Sequence, residues 1–144
     1  MEEKLTELYC TMYNDGVYFF DIEFTETEKK TALIEMGGKH AVFIDVYKID
    51  SIAEETEVIA HECGHIETGT THKLCAPFDV ICRHEYRANK WAVKRIIPFS
   101  EIEKAIAYGC CEVWEFAEFL GRTEEFVKLA LEIYSREQLI KNKL

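Results

Sequence analysis

Residues 51–69 read SIAEETEVIAHECGHIETG. Ser51 with Glu54 three residues later is a capping-box pattern, and Ile52, Val58, Ile59 and Ile66 supply apolar positions up to Gly69. That combination predicts a helix from about 52 to 68. Inside it lies H-E-x-x-H, at His61, Glu62 and His65. Histidines four apart stand one above the other on a helix, so His61 and His65 can each aim an imidazole nitrogen at one ion. Two neutral imidazoles held this way suit zinc. Glu62 sits about 100° around the same turn, beside the ion but out of line with the ligands. From there it can take a proton from water activated at the metal, the general-base role this motif carries in metallopeptidases. Gly64, inside the helix, costs about 1 kcal/mol relative to alanine, so its presence predicts close packing or a cleft wall.

A catalytic zinc takes three protein ligands and keeps one position open. His72 is the nearest further histidine, in the order H-E-x-x-H-x-x-x-G-x-x-H. The long metzincin motif has one residue fewer before its glycine and needs a methionine turn downstream. The three methionines here, Met1, Met12 and Met36, are all upstream. A carboxylate from a second helix is the other solution. The stretch DVICRHEYRANKWAVKRII, residues 79–97, reads as a helix that stops at Pro98. Its Glu85, Ala88 and Ala92 form one stripe, and the alanines would let it approach the first helix closely. Glu85 is therefore the expected third ligand, and Asn89, one turn on, could hydrogen-bond the far nitrogen of a ligand histidine. His84 is expected to point elsewhere.

Working outward, Leu5, Leu8, Tyr9, Met12 and Tyr13 recur at helical spacing, and Gly16 can end that helix. VYFFDIEF, residues 17–24, reads as a strand. TALIEM and HAVFID flank Gly37-Gly38, a hairpin signal. Downstream, Ser100 with Glu103 predicts a helix to about Gly109, and CEVWEFAEFL and TEEFVKLALEIYSREQLI predict two more. The expectation is one α+β domain over residues 1–144. A small, mostly antiparallel three-stranded sheet would pack on the motif-bearing helices up to about residue 98, with a helical part beyond.

The bulk properties narrow the function classes. The N-terminus is acidic where a secretory signal would be basic, and no apolar run reaches the roughly 20 residues that span a bilayer. The chain reads as cytoplasmic, so its six cysteines are expected as free thiols. Residues 1–69 hold 16 acids and 5 bases, whereas residues 70–98 hold 2 acids and 6 bases. A net charge of −10 opposes direct nucleic-acid binding, and the basic segment reads either as a solvated helix face or as a receiver for an acidic stretch of a partner. WEFAEFLGRTEEFVKLALEIY has the cadence of a helix-turn-helix, but residues 112–134 carry six acids and two bases, the wrong sign for a recognition helix.

These segments together resemble the ImmA/IrrE family of small zinc metallopeptidases. The resemblance rests on the tyrosine-rich first helix, the short strands, VIAHECGHIETG and above all RHEYRANKWAVKRIIP. It implies a gluzincin-like fold, with His61, His65 and Glu85 as zinc ligands and Glu62 as catalytic base. It also implies a helix-turn-helix repressor as protein substrate, in a phage, mobile-element or stress-response circuit. Where many members carry an aliphatic residue, this chain has Cys63, a small hydrophobe that the site should tolerate. For stabilising an oxyanion, Tyr47, His72, Tyr86 and Arg87 are all chemically able. The rival expectation is a zinc-binding regulatory protein that occludes a repressor without cleaving it.

Overall fold

Six helices and three strands follow one another in the computed structural model, which describes residues 2–71 and 76–137. They are α1 (Glu2–Asn14), β1 (Tyr18–Asp21), β2 (Thr31–Met36), β3 (Lys39–Ile44), α2 (Ile52–Glu67), α3 (Phe78–Ile96), α4 (Phe99–Tyr108), α5 (Val113–Leu120) and α6 (Glu124–Arg136). The α+β class and the helical C-terminal part are as the sequence predicts. No helix among the described residues is long and apolar enough to cross a membrane.

The sheet is mixed rather than mostly antiparallel. β2 and β3 form the expected hairpin about Gly37-Gly38, both at positive φ, but β1 lies on the far side of β3 and runs parallel to it. The reason is the connection from residue 22 to residue 30, which crosses over instead of turning tightly. Lys48, on the short 3-10 turn Val46–Lys48, fastens it by donating to the carbonyls of Phe24 and Thr27, both at 2.6 Å. Asp45 accepts the Phe24 amide at 2.9 Å from the other side.

Period-two alternation gives the sheet an inner and an outer face. Leu33, Val42, Ile44 and Phe19 point inward against α1 and α2, where Leu8, Met12, Ile59 and Cys63 complete the core. Behind α3 the C-terminal helices close the same core. Phe126, Val127, Ala130, Ile133 and Tyr134 of α6 are buried, and the Tyr134 hydroxyl donates to Ile97 O at 2.7 Å. The helix-turn-helix cadence thus marks packing: Gly121 takes the left-handed conformation, and Thr123 caps α6 through Phe126 N.

Several boundaries differ from the sequence reading, and β1, expected over residues 17–24, covers only Tyr18–Asp21. Ser100 lies inside α4, whose first turn begins at Phe99 after Pro98, because a proline there needs no donor and already has a helical φ. α5 is opened by a capping box of Glu112 and Glu115 that the chain's other patterns obscured. The last predicted helix continues into residues 138–140, which lie outside the described residues.

Candidate metal centre

α2 is capped as its sequence predicts, with Ser51 Oγ accepting from Glu54 N at 3.1 Å. The Glu54 carboxylate turns back to Asp50 N at 2.7 Å rather than to Ser51. The helix ends in a Schellman turn: Gly69, at φ 64°, donates to Ile66 O, and Thr70 N donates to His65 O at 2.9 Å. That turn folds Thr70 over His65, with Gly69 as its left-handed cap. His72 lies outside the described residues.

The structure brings His61, His65 and Glu85 together. Contacts between α2 and α3 run in opposite directions along the two helices, with His65 on Glu85 and His61 on Asn89, so the pair is antiparallel. Gly64 makes this approach possible, since a Cβ there would stand 2.5 Å from the backbone oxygen of Ala88. Ala88 and Ala92 are fully buried at the seam. His61 Nε2 lies 3.0 Å from Glu85 Oε2, His65 Nε2 lies 3.1 Å from Glu85 Oε1, and the two Nε2 atoms are 3.2 Å apart.

The outer nitrogens fix what the inner ones can do. His65 Nδ1 faces the carbonyl of Thr70 at 3.1 Å, and a carbonyl can only accept, so Nδ1 carries the hydrogen. His61 Nδ1 faces Asn89 Oδ1 at 2.7 Å and is fixed the same way. In neutral rings both Nε2 atoms then present lone pairs to each other and to a carboxylate. Three acceptors this close repel unless a positive charge lies among them. Burial works against a proton on His61, but the Glu85 hydrogen bond, the charges of Glu62 and Glu85, and Asn89 together raise its pKa. The same hydrogen bonds, from His61 and then His65, hold the Glu85 carboxyl well below the usual carboxylate range. The three side chains form a group that could hold a cation.

Zinc fits the donor set. Ligand atoms about 2.0–2.1 Å from one ion at tetrahedral angles stand about 3.3 Å apart; the two Nε2 atoms here are 3.2 Å apart, and each faces its own oxygen of the Glu85 carboxylate, Oε2 at 3.0 Å for His61 and Oε1 at 3.1 Å for His65. His65 is nearly enclosed, whereas His61 and Glu85 are partly exposed, which leaves the open side of the triangle toward solvent on their flank. Glu62 follows His61 on α2, is only 6 % exposed, and accepts a 2.6 Å hydrogen bond from Thr31 Oγ1 at the start of β2. The sheet thereby fixes the carboxylate beside the histidine pair.

Thr31 and Thr70 are the residues that sequence reasoning missed. Thr70 had a readable signal, because a glycine just after a helix predicts a Schellman turn and hence a residue folded back onto the last turn. Thr31 had none, lying in a strand remote in sequence from the motif. Of the four oxyanion candidates, Tyr47 is exposed on the 3-10 turn, and Tyr86 packs its ring under Arg136, with the guanidinium 5.4 Å from the ring centre. Arg87 lines a groove on the outer side of α3 with Thr68, Lys90, Trp91, Lys94 and Arg95. This is the basic segment. Lys90 and Lys94 share Glu137, and Arg95 reaches Glu7, so much of its charge is met within the chain.

The described cysteines, 10, 63, 82, 110 and 111, are free thiols, and Cys75 lies outside the described residues. Burial pushes the Cys63 thiol up to about 12, so it behaves as a small core hydrophobe beside the histidines. His84 is half-buried and stands outside the ligand cluster. No family model, no curated protein and no solved structure matches the chain.

Proposed function

We propose that this chain is a zinc-dependent metallo-endopeptidase, with His61, His65 and Glu85 as metal ligands and Glu62 as general base. The observation that carries the reading is the convergence of two Nε2 lone pairs and one carboxylate, both Nδ1 atoms being committed to acceptors, with a second carboxylate fixed alongside. A purely structural zinc favours four closed ligands and has no use for the extra carboxylate. When bound, the metal supplies a Lewis acid that polarises a carbonyl and acidifies water. Glu62 accepts the proton of the attacking water and returns it to the leaving amine, and Thr31 keeps its carboxylate in place for both transfers. β2 is an edge strand with no further strand partner among the described residues, and its Thr31 end reaches Glu62, so an extended peptide can add along it.

The resemblance to ImmA/IrrE metallopeptidases supports a helix-turn-helix repressor as the substrate class and the cytoplasm as the setting. One observation favours the rival, a zinc-binding regulator that occludes its partner: Glu62 is buried and already engaged by Thr31. Two measurements separate the readings. Elemental analysis should find about one zinc per chain in wild type and in Glu62→Gln, and much less in Glu85→Ala. Mass spectrometry of purified repressors incubated with the zinc-loaded protein should then find cleavage by wild type and none by Glu62→Gln. Equal cleavage by both proteins would eliminate Glu62 as the base. Retention of zinc by Glu85→Ala, with loss from His72→Ala, would reassign the third ligand.

A further inference from the structure

The sheet has one covered face and one bare one, and the bare face is apolar. Pairing in register places Tyr18, Ala41 and Ile34 in one row across the outer face, with Phe20, Phe43 and Ala32 in the next and Met36 with Lys39 at the hairpin end. Phe20 stacks on Phe43, with ring centres 5.3 Å apart. Tyr18 is 52 % exposed, Phe20 48 %, Ile34 48 % and Met36 78 %; Ile22, next in the alternation after β1, is 40 % exposed. At roughly 200 Å² per large side chain, these five alone offer about 500 Å² of apolar surface. Monomers keep their largest apolar patch to about 300–600 Å², and patches of that size are commonly functional.

The geometry points to a second copy of this chain as the occupant, packed sheet face to sheet face. Area is the first reason. Two such faces would bury about 1,000 Å² from these side chains alone, which reaches the lower bound for a specific interface. Charge is the second. The chain carries a net −10, yet Lys39 is the only ionisable residue besides Tyr18 in the three paired outer rows, and Asp45, next in the alternation after Phe43, is buried, so two copies can meet there without apposing carboxylates. Shape is the third, because the alanines at 41 and 32 leave hollows beside Phe43 and Ile34 that large side chains of a facing sheet can fill. Thr31 and the metal cluster lie on the other side of the sheet, so the dimer leaves the metal centre open.

The test is sedimentation equilibrium of the wild-type protein across roughly 1–100 µM, the affinity range of small interfaces. The expected result is a monomer–dimer equilibrium that tightens, by at least about fivefold, as added salt screens the repulsion between two acidic chains. Phe20→Asp should weaken it at least about a hundredfold, since each dimer carries the change twice. Met36→Lys, at an exposed rim where folding is not at stake, should weaken it about tenfold. Phe78→Lys, an equally exposed apolar residue on α3, should leave it unchanged. Far-ultraviolet circular dichroism and zinc content check that each variant is folded. A monomer at every concentration and salt would overturn the proposal. So would a dimer that weakens with salt or survives both sheet-face substitutions, which would move the contact to the basic face of α3. A monomer that floats with neutral phosphatidylcholine vesicles would overturn it in favour of a membrane surface.

Discussion

Replacing Gly64 by alanine sets two effects of opposite sign against each other. Helix propensity favours the substitution by about 1 kcal/mol. Packing opposes it, because the new Cβ would lie 2.5 Å from Ala88 O and 3.1 Å from both Ala88 C and Cα, where ordinary contact begins at 3.4 Å. All three neighbours are α3 backbone, so no side-chain rotation relieves the overlap and α3 must retreat by about 0.9 Å. Overpacking of this kind costs about 1–3 kcal/mol. A rigid backbone obstacle belongs at the upper end, which leaves a net loss of about 2 kcal/mol and a Tm lower by about 4–8 °C for a chain of this length. The larger consequence is chemical. Ala88 lies between Glu85 and Asn89 on α3, so its retreat opens the 3.0 and 3.1 Å contacts of Glu85 and the 2.7 Å contact of Asn89 together. Metal distances tolerate only about ±0.2 Å, so zinc affinity should fall at least tenfold to about a hundredfold. Thermal denaturation of the metal-free protein and a chelator-competition titration read the two effects separately. A variant that melts about 3 °C higher and binds zinc like wild type would refute the close approach of α2 and α3.

Glu57 of α2 accepts from Thr123 N at 2.8 Å and Thr123 Oγ1 at 2.9 Å, tethering the start of α6. Glu57→Ala strands the part-buried Thr123 amide and should destabilise by about 1–3 kcal/mol. Burial raises the Glu57 pKa despite those bonds, so its charge works against folding above the unfolded value; Glu57→Gln should therefore lose less than Glu57→Ala in urea denaturation, and the reverse order would contradict the tether. For Glu54 the sign is opposite: the Asp50 amide, and then Lys30, lower its pKa. Its contribution is present above the unfolded value of about 4.3 and disappears as pH falls through the lower folded value. Acid unfolding of Glu54→Gln should accordingly show a shallower loss of stability below about pH 4.3, and parallel curves for the two proteins would show that the contact contributes nothing.

The parts of this fold legible in the sequence are those whose causes are local. Ser51 caps α2, Gly37-Gly38 turns the hairpin, and Gly109 and Gly121 end helices in the left-handed conformation they uniquely tolerate. The convergence of His61, His65 and Glu85 was legible for the same reason, since the histidines are neighbours by helical period, and Glu85 shares a stripe with the alanines that let α3 come close. Strand order was not legible. Whether β1 joins β2 or β3 depends on Lys48 and Asp45 catching the carbonyls and amide of a distant connection, and no periodicity encodes that. Nor does period-two alternation say which sheet face stays bare when the strands are short and both faces are apolar.

Thr70 and Asn89 give the two histidines different kinds of support. His65 is oriented by Thr70, from the turn that ends its own helix, and that turn is held by backbone hydrogen bonds within a few residues. His61 is oriented by Asn89, from α3, the helix that also supplies Glu85. Displacing α3 therefore removes Glu85 and one orienting bond together while leaving His65 in place. Displacing the turn at Gly69 touches His65 alone. Substitutions along the α2–α3 seam, at Gly64, Ala88 and Ala92, should consequently act on the metal site as one cooperative group, with double-mutant effects well short of additive. Substitutions at Thr70 should add to them nearly independently. The α2–α3 seam is thus the structural element on which the cluster as a whole depends, and the Schellman turn supports one histidine within it.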